Sequence, residues 1–226
     1  HMLKQDLYEK SPIRLFDEAT DGGIKAGEIA LVTSKKGLGK TSVLVQFGMD
    51  TLLKDEQLVH VTFDLHSSNV ISWYDGIFTE ISKKKNLGNA TELKNSVVSK
   101  RTILNFSLDN FTVTKVVNTL KALSSAGISV KGVVMDGIDF TKVSEEDVKA
   151  VADYAASEKI TIWTSTTVEG EKLSDVVPAN LEKYFAAVVN LNQKNDGVLV
   201  DVLKIRDKKD VDTGLKLDTK TLLMTK

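Results

Sequence analysis

Apolar positions along this chain follow two rhythms. Short unbroken runs, suited to strands buried on both faces, alternate with longer stretches in which apolar residues recur at helical spacing. Ile29-Ala30-Leu31-Val32 is the first run; a glycine-rich turn follows, and then a helix is predicted from about Lys40 to Leu53. The run Leu58–Asp64 reads as a buried strand ending in a carboxylate. Val70, Trp73, Ile77 and Ile81 predict a helix over 68–86, and Lys83-Lys84-Lys85 near its end suit the negative pole of the dipole better than a binding patch. Residues 89–100 form a polar helix or loop, Thr102–Phe106 a strand and Val113–Ala126 a helix. Val130–Asp136 is a second buried strand that runs into a carboxylate. Ser144 caps a helix reaching about Ser157, with Glu145, Glu146 and Asp147 in its first turn, and a strand follows at Ile160–Thr164.

Ahead of this alternation, Ile13–Ala19 fits a short helix and residues 21–27 a glycine-punctuated turn. After Pro178 the rhythm changes: Ala186–Leu191, Val198–Ile205 and Leu215–Leu223 read as strands with no helix between them, and Asn195-Asp196-Gly197 signals a hairpin. The predicted fold is an α/β three-layer sandwich, a mostly parallel sheet with helices on both faces and a C-terminal antiparallel extension. Its 226 residues fit one domain over 3–226, with His1-Met2 read as an expression-tag remnant.

Composition narrows the function only by exclusion. Hydrophobic content of 42% and charged content of 27% are ordinary for a soluble domain, and a net charge of −1 gives no overall pull towards nucleic acid or membrane. The absence of cysteine removes disulfides, thiolate metal sites and a cysteine nucleophile, and agrees with a cytoplasmic location. No apolar run approaches a membrane span, and no signal-peptide core is present at the N-terminus.

The turn after the first strand carries the chemistry. Ser34-Lys35-Lys36-Gly37-Leu38-Gly39-Lys40-Thr41-Ser42 sits between a strand and a helix, which is the setting of a phosphate-binding P-loop. In such a loop backbone N–H groups wrap the phosphates, here those of ATP or ADP. A lysine (Lys40) bridges the β- and γ-phosphates, and a hydroxyl (Thr41) holds Mg²⁺. Ser34 stands where the usual G-x-x-x-x-G-K-[ST] pattern has its first glycine; Gly37 and Gly39 keep the backbone permissive near the phosphates. The second half of the site needs an acid at the end of a buried strand, and Asp136 fits as the Mg²⁺ acid, with Asp139 either supporting it or capping a turn. Asp64 would face the same site and could orient or deprotonate the attacking water. His60 reads as a structural histidine, and His66 either touches nucleotide or is a lone surface residue. Thr164 and Thr166 are candidate γ-phosphate sensors, while Lys204 and Arg206 close a terminal strand run and, on the residues alone, read as a solvated end.

Taken in order, these pieces resemble the RecA-like ATPases, nearest the KaiC-like ATPases and the DnaB-type hexameric helicases. The segment from Ser11 to Leu53 resembles their entry segment, P-loop and first helix; LVHVTFD resembles their next strand; VDVLKIRDKKDVDTGLKLD resembles their C-terminal hairpin. The resemblance covers about residues 11–224. It implies that Lys204 and Arg206 reach the γ-phosphate of a neighbouring subunit, where a guanidinium offsets charge on the transferred phosphoryl group. It also implies a ring or filament, as a homo-oligomer or with a related ATPase.

Three departures qualify what is implied. Ser34 replaces the first P-loop glycine, and Asp64 replaces the family's catalytic glutamate, with Leu65 where clock-type members carry a second one. Both speak against fast hydrolysis. The segments after Asp136 and after Thr167, where helicases and recombinases place DNA-contacting loops, are acidic or mixed, so nucleic-acid binding is not supported by loop composition. SKKGLGKT also resembles the deviant P-loop of the ParA/MinD-type dimeric ATPases, in which Lys35 would cross to a partner. The expected function is a slow Mg²⁺-dependent ATPase acting as an oligomeric switch or motor core. The alternatives are a nucleotide-sensing scaffold of the same fold with little hydrolysis, and a ParA/MinD-type dimer.

Overall fold

A computed structural model describes residues 3–63, 67–83, 89–107, 112–195 and 197–226. Helices α1 (Lys4–Lys10) and α2 (Ile13–Ala19) precede β1 (Ile29–Ser34), α3 (Lys40–Leu53), β2 (Gln57–Phe63), α4 (Ser67–Ser82), α5 (Ala90–Val98), β3 (Arg101–Phe106), α6 (Val113–Ser125), β4 (Val130–Met135), α7 (Glu145–Glu158) and β5 (Thr161–Thr167). A short α8 (Leu173–Val176) leads to β6 (Phe185–Lys194), β7 (Gly197–Ile205), β8 (Lys208–Val211), β9 (Lys216–Leu217) and β10 (Met224–Thr225).

Among the described residues ten strands join one sheet, in the order β10-β9-β7-β6-β1-β5-β4-β2-β3, with β8 also on β7. Every pairing from β3 across to β6 is parallel, and every pairing beyond β6 is antiparallel. The inner strands β1, β2 and β4 are largely buried on both faces, which is why their sequences are apolar runs and not alternating ones, while the parallel edge strand β3 is only partly buried. The ends of β1 and β4 face the same edge of the sheet. That edge lies outside the strand carboxyl ends, where ligands of open α/β sheets gather.

Helix α3 is the centre of one face. From Ser42 to Leu53 it is buried on all sides, as a helix without a clear polar stripe must be. It packs on the sheet, α1, α2 and α4. Phe47 stacks on Trp163 of β5 at 3.8 Å between ring centroids, and Phe16 of α2 meets both edge-on at 5.1 and 5.8 Å. Arg14 donates to Asp50 at 2.6 Å and ties α2 to α3 by charge as well.

The predicted alternation and the antiparallel extension are both present. The 89–100 stretch contains α5, and the two flanks of the predicted hairpin pair Lys194 with Gly197. Asp196, Lys84 and Lys85 lie outside the described residues, while Lys83 extends past α4 beside Glu80. The predicted strand Leu215–Leu223 is corrected: only Lys216–Leu217 pairs there, and the chain then turns over Asp218 before Met224–Thr225 pairs back. Asp218 accepts the N–H groups of Lys220 and Thr221, and such a side-chain-held turn competes with a continuous strand. Helices α1 and α8 and strand β8 have no counterpart among the elements read from the sequence.

Candidate nucleotide site

Ser34 ends β1, Gly39 precedes α3, and residues 35–39 arch between them. Gly37 and Gly39 have φ of 83° and 117°, a region that an L side chain rarely enters. Gly39 is constrained twice, because a Cβ there would lie 3.0 Å from Leu217 Cδ1. Lys35, Lys36 and Gly37 are exposed, while Leu38 packs partly against the core. Lys40 reaches back across the arch and donates to Ser34 Oγ at 3.4 Å, and Ser34 Oγ donates to the Lys35 carbonyl at 2.6 Å. Burial lowers the Lys40 pKa, and the Asp136 carboxylate partly opposes that shift. A partly desolvated ammonium beside the arch at the start of a helix is well placed to gain from an incoming phosphate.

Thr41 in the first turn of α3 donates to Asp136 Oδ2 at 2.8 Å. The other carboxylate oxygen accepts from Ser165 Oγ at 3.0 Å, and Ser165 Oγ in turn accepts from Gly137 N–H at 3.0 Å. Asp136 N–H is held by the Val61 carbonyl of β2 at 3.0 Å. Three adjacent strands thus orient one carboxylate towards one hydroxyl. The donor set is hard oxygen and fits Mg²⁺, which binds through one or two protein oxygens and leaves its other positions to phosphate and water. Among the described residues no cluster of three or more His, Asp or Glu competes as a metal site.

Ser165 is the residue that sequence reading missed. It shares its face of β5 with Trp163, which packs on α3, whereas Thr164 and Thr166 have the opposite parity. Thr164 therefore lines a small apolar cavity with Ile29 and Phe185, on the far side of the sheet from α3. The expectation of a γ-phosphate sensor at Thr164 is corrected accordingly, while Thr166 is buried beside Thr33 near the carboxyl end of β1. The parity of Trp163 was the available signal. Asp139 is a turn cap, accepting from Thr141 N–H and Oγ1, and is not in contact with Asp136. Asp64 and His66 lie outside the described residues.

A cleft of about 630 Å³ opens beside the pair. Thr41, Asp136 and His60 line its sheet end, Val45, Val70, Trp73 and Ile77 its apolar wall, and Lys220 and Thr221 its far lip. His60 is buried with its Nδ1 2.8 Å from Tyr74 Oη, the structural placement read from its strand. Burial pushes the His60 pKa down to about 4 against the raising effect of Asp136, so the ring is neutral at pH 7. The Tyr74 hydroxyl is pressed on Gly48, where any Cβ would collide with it. The C-terminal turn is fastened to α3 by Ser42 Oγ and Gln46 Nε2, both donating to the Leu222 carbonyl at 3.0 Å, and by Met224 N–H donating to Gln46 Oε1 at 3.0 Å. The Ser42 hydroxyl is thereby committed to the fold.

The family model described as ATPase: KaiC matches residues 10–168. This chain belongs to the KaiC family of ATPases. That membership decides against the ParA/MinD-type alternative and carries nucleotide binding with it. No curated protein matches the chain. Within this KaiC-family chain, the P-loop, Asp136 and Ser165 all fall inside the matched span, and Lys204 and Arg206 fall beyond it.

Those two cations sit away from the P-loop, with Lys204 paired to Val188 and so level with Leu31 in the middle of β1. Ile205 pairs with Ala187 and Ala187 with Ala30, so Arg206 lies level with the start of β1, about 16 Å along the strand from Ser34. Lys204 donates to the Glu182 carbonyl at 2.9 Å, and burial lowers its pKa. Arg206 forks onto Glu28, with Nε 3.0 Å from Oε2 and Nη2 2.6 Å from Oε1. Neither cation belongs to its own subunit's P-loop.

Proposed function

We propose that this KaiC-family chain is a slow Mg²⁺-dependent ATPase that works as a switch or motor core inside a cytoplasmic oligomer. One observation carries the reading: Lys40 stands over the P-loop arch while Thr41 and Asp136, brought from distant parts of the chain, meet at 2.8 Å beside it. The backbone N–H groups of residues 37–42 would receive the phosphates, and the Lys40 ammonium would lie between the β- and γ-phosphates. Bound Mg²⁺ would be held by Thr41 and Asp136 and would neutralise charge on those phosphates. Ser165 keeps the carboxylate pointed at Thr41. The cleft lined by Val45, Val70, Trp73 and Ile77 offers apolar side chains that the base would meet, with Lys220 among its polar lining. Asp64, the residue that follows Phe63 in the sequence, is the candidate to orient the attacking water, with one methylene less than the family's glutamate.

Arg206 supports the oligomeric part of this reading, because it lies too far from its own P-loop to act on the nucleotide bound there, and a neighbour's nucleotide is the phosphate it would serve, with Lys204 beside it. Asp64 favours a second reading, a scaffold that binds ATP and scarcely hydrolyses it. Titration calorimetry with ATP and Mg²⁺ tests the binding claim. Lys40→Ala, at a half-buried position that anchors no packing, should keep the fold and lose affinity by about two orders of magnitude. Unchanged affinity in a folded Lys40→Ala would remove the central claim. Phosphate release by wild type then separates the two readings.

A further inference from the structure

The hairpin that joins β7 to β8 is held down by its own subunit at every cation. Lys204 is on the Glu182 carbonyl, Lys209 on the Glu182 carboxylate, Lys208 on Asp21, and Arg206 on Glu28. The Arg206 contact is the most elaborate. Both Glu28 oxygens are engaged by Nε and Nη2, and Nη2 also donates to the Gly23 carbonyl at 3.0 Å. The carboxylate is itself fixed, since Oε1 accepts from Lys25 N–H at 2.6 Å. Arg206 starts the two-residue turn with φ of 53°, and its N–H donates to the Ala186 carbonyl at 2.6 Å. The backbone therefore aims the guanidinium at Glu28, which immediately precedes β1.

This fork is the geometry in which a guanidinium receives two phosphate oxygens. Glu28 fills it with two oxygens that share a negative charge, at a spacing close enough to a phosphate's to occupy both donors. Around the pair, Lys204, Lys183 and Tyr184 line an open cleft of about 360 Å³, so the fork is covered by a carboxylate and not by packed core. The side chains keep 31% and 25% exposure, which leaves the ion pair weak enough to exchange.

We propose that Glu28 is a latch on Arg206. In the lone subunit the carboxylate occupies the guanidinium fork; on assembly the terminal phosphate of a neighbour's nucleotide replaces it. Glu28 thus sets how much ATP and protein assembly requires, and keeps Arg206 ordered without letting it act early. This rests on the reading that Arg206 serves a neighbouring subunit.

Glu28→Gln preserves shape and removes the charge. With ATP and Mg²⁺, the protein concentration at which light scattering reports assembly should fall about fivefold, the worth of one half-exposed ion pair. Glu28→Asp, which retracts the carboxylate from the fork, should move the threshold the same way and serves if Glu28→Gln does not fold. Glu182→Gln, which removes the carboxylate from Lys209 on the same hairpin and leaves the Arg206 fork filled, should not lower the threshold, whereas a general loosening of the hairpin would. A folded Glu28→Gln or Glu28→Asp whose threshold is unchanged or raised overturns the latch. If Arg206→Ala alone leaves ATP-driven assembly intact, or if wild type does not assemble, the trans reading fails and the latch with it. If Arg206→Ala abolishes assembly while both Glu28 variants match wild type, only the latch fails.

Discussion

Thr41 Oγ1 and Asp136 Oδ2 stand 2.8 Å apart although 95 residues separate them in the chain. The hydroxyl belongs to the first turn of a buried helix and the carboxylate to the end of the strand two places along the sheet from β1. Neither could be placed without the other's element, because only the β1-β5-β4 order brings the two strand ends to one edge.

Asp136→Asn keeps the side chain's size and one acceptor, and removes the charge that suits a divalent cation. ATP affinity in Mg²⁺ should fall by about tenfold or more, while affinity in EDTA should change little. Calorimetry in the two buffers measures the difference. An Asp136→Asn protein with the full Mg²⁺ increment would place the metal elsewhere.

His60 gives the fold an acid-sensitive point. Its folded-state pKa of about 4 lies below the ordinary 6.5, chiefly through burial, so the unfolded chain binds the proton more readily. The contribution is complete above about pH 6.5 and is lost as pH falls towards 4, at a cost of up to about 3 kcal/mol. Asp50 runs the opposite way: burial raises its pKa to about 6, with Arg14 opposing, so its contribution fades as pH rises through that value. Urea midpoints at pH 7 and pH 4.5 should show a smaller acid loss in His60→Asn than in wild type. An equal loss in both would clear His60 of the effect.

Phe16 holds α2 against both α3 and β5 through its edge-on contacts with Phe47 and Trp163. Phe16→Ala should cost about 3–5 kcal/mol, the range for truncating a fully buried ring. Chemical denaturation checks it. A loss below about 1 kcal/mol would mean that α2 docks by its Arg14–Asp50 contact alone.

Arg206→Ala should bind ATP nearly as wild type does, hydrolyse it poorly and fail to assemble with it, because the lost group serves another subunit's site. Mixed with Lys40→Ala, itself inactive, it should regain part of the phosphate release, since one mixed interface joins an intact P-loop to an intact guanidinium. Arg206→Lys should restore little, lacking the planar fork. A mixture that co-assembles and stays inactive would return Arg206 to a structural role on Glu28.

The features most legible in the chain were those with a local chemical or periodic cause. The P-loop could be read from Ser34 to Ser42 because phosphate binding needs its residue types within one turn, and the parallel sheet because strands buried on two faces must be unbroken apolar runs. Asp136 was legible for the same reason, as a carboxylate ending such a run. Tertiary structure decided the pairs that no spacing encodes. Ser165 rather than Thr164 meets Asp136, since parity along β5 is set by which face Trp163 buries against α3. Leu215–Leu223 breaks at Asp218, since its backbone is claimed by that side chain and by Ser42 and Gln46. Arg206 rests on Glu28, since an antiparallel return carries it back to the start of β1, and the order of strands in a sheet is a property of their packing and not of their spacing along the chain.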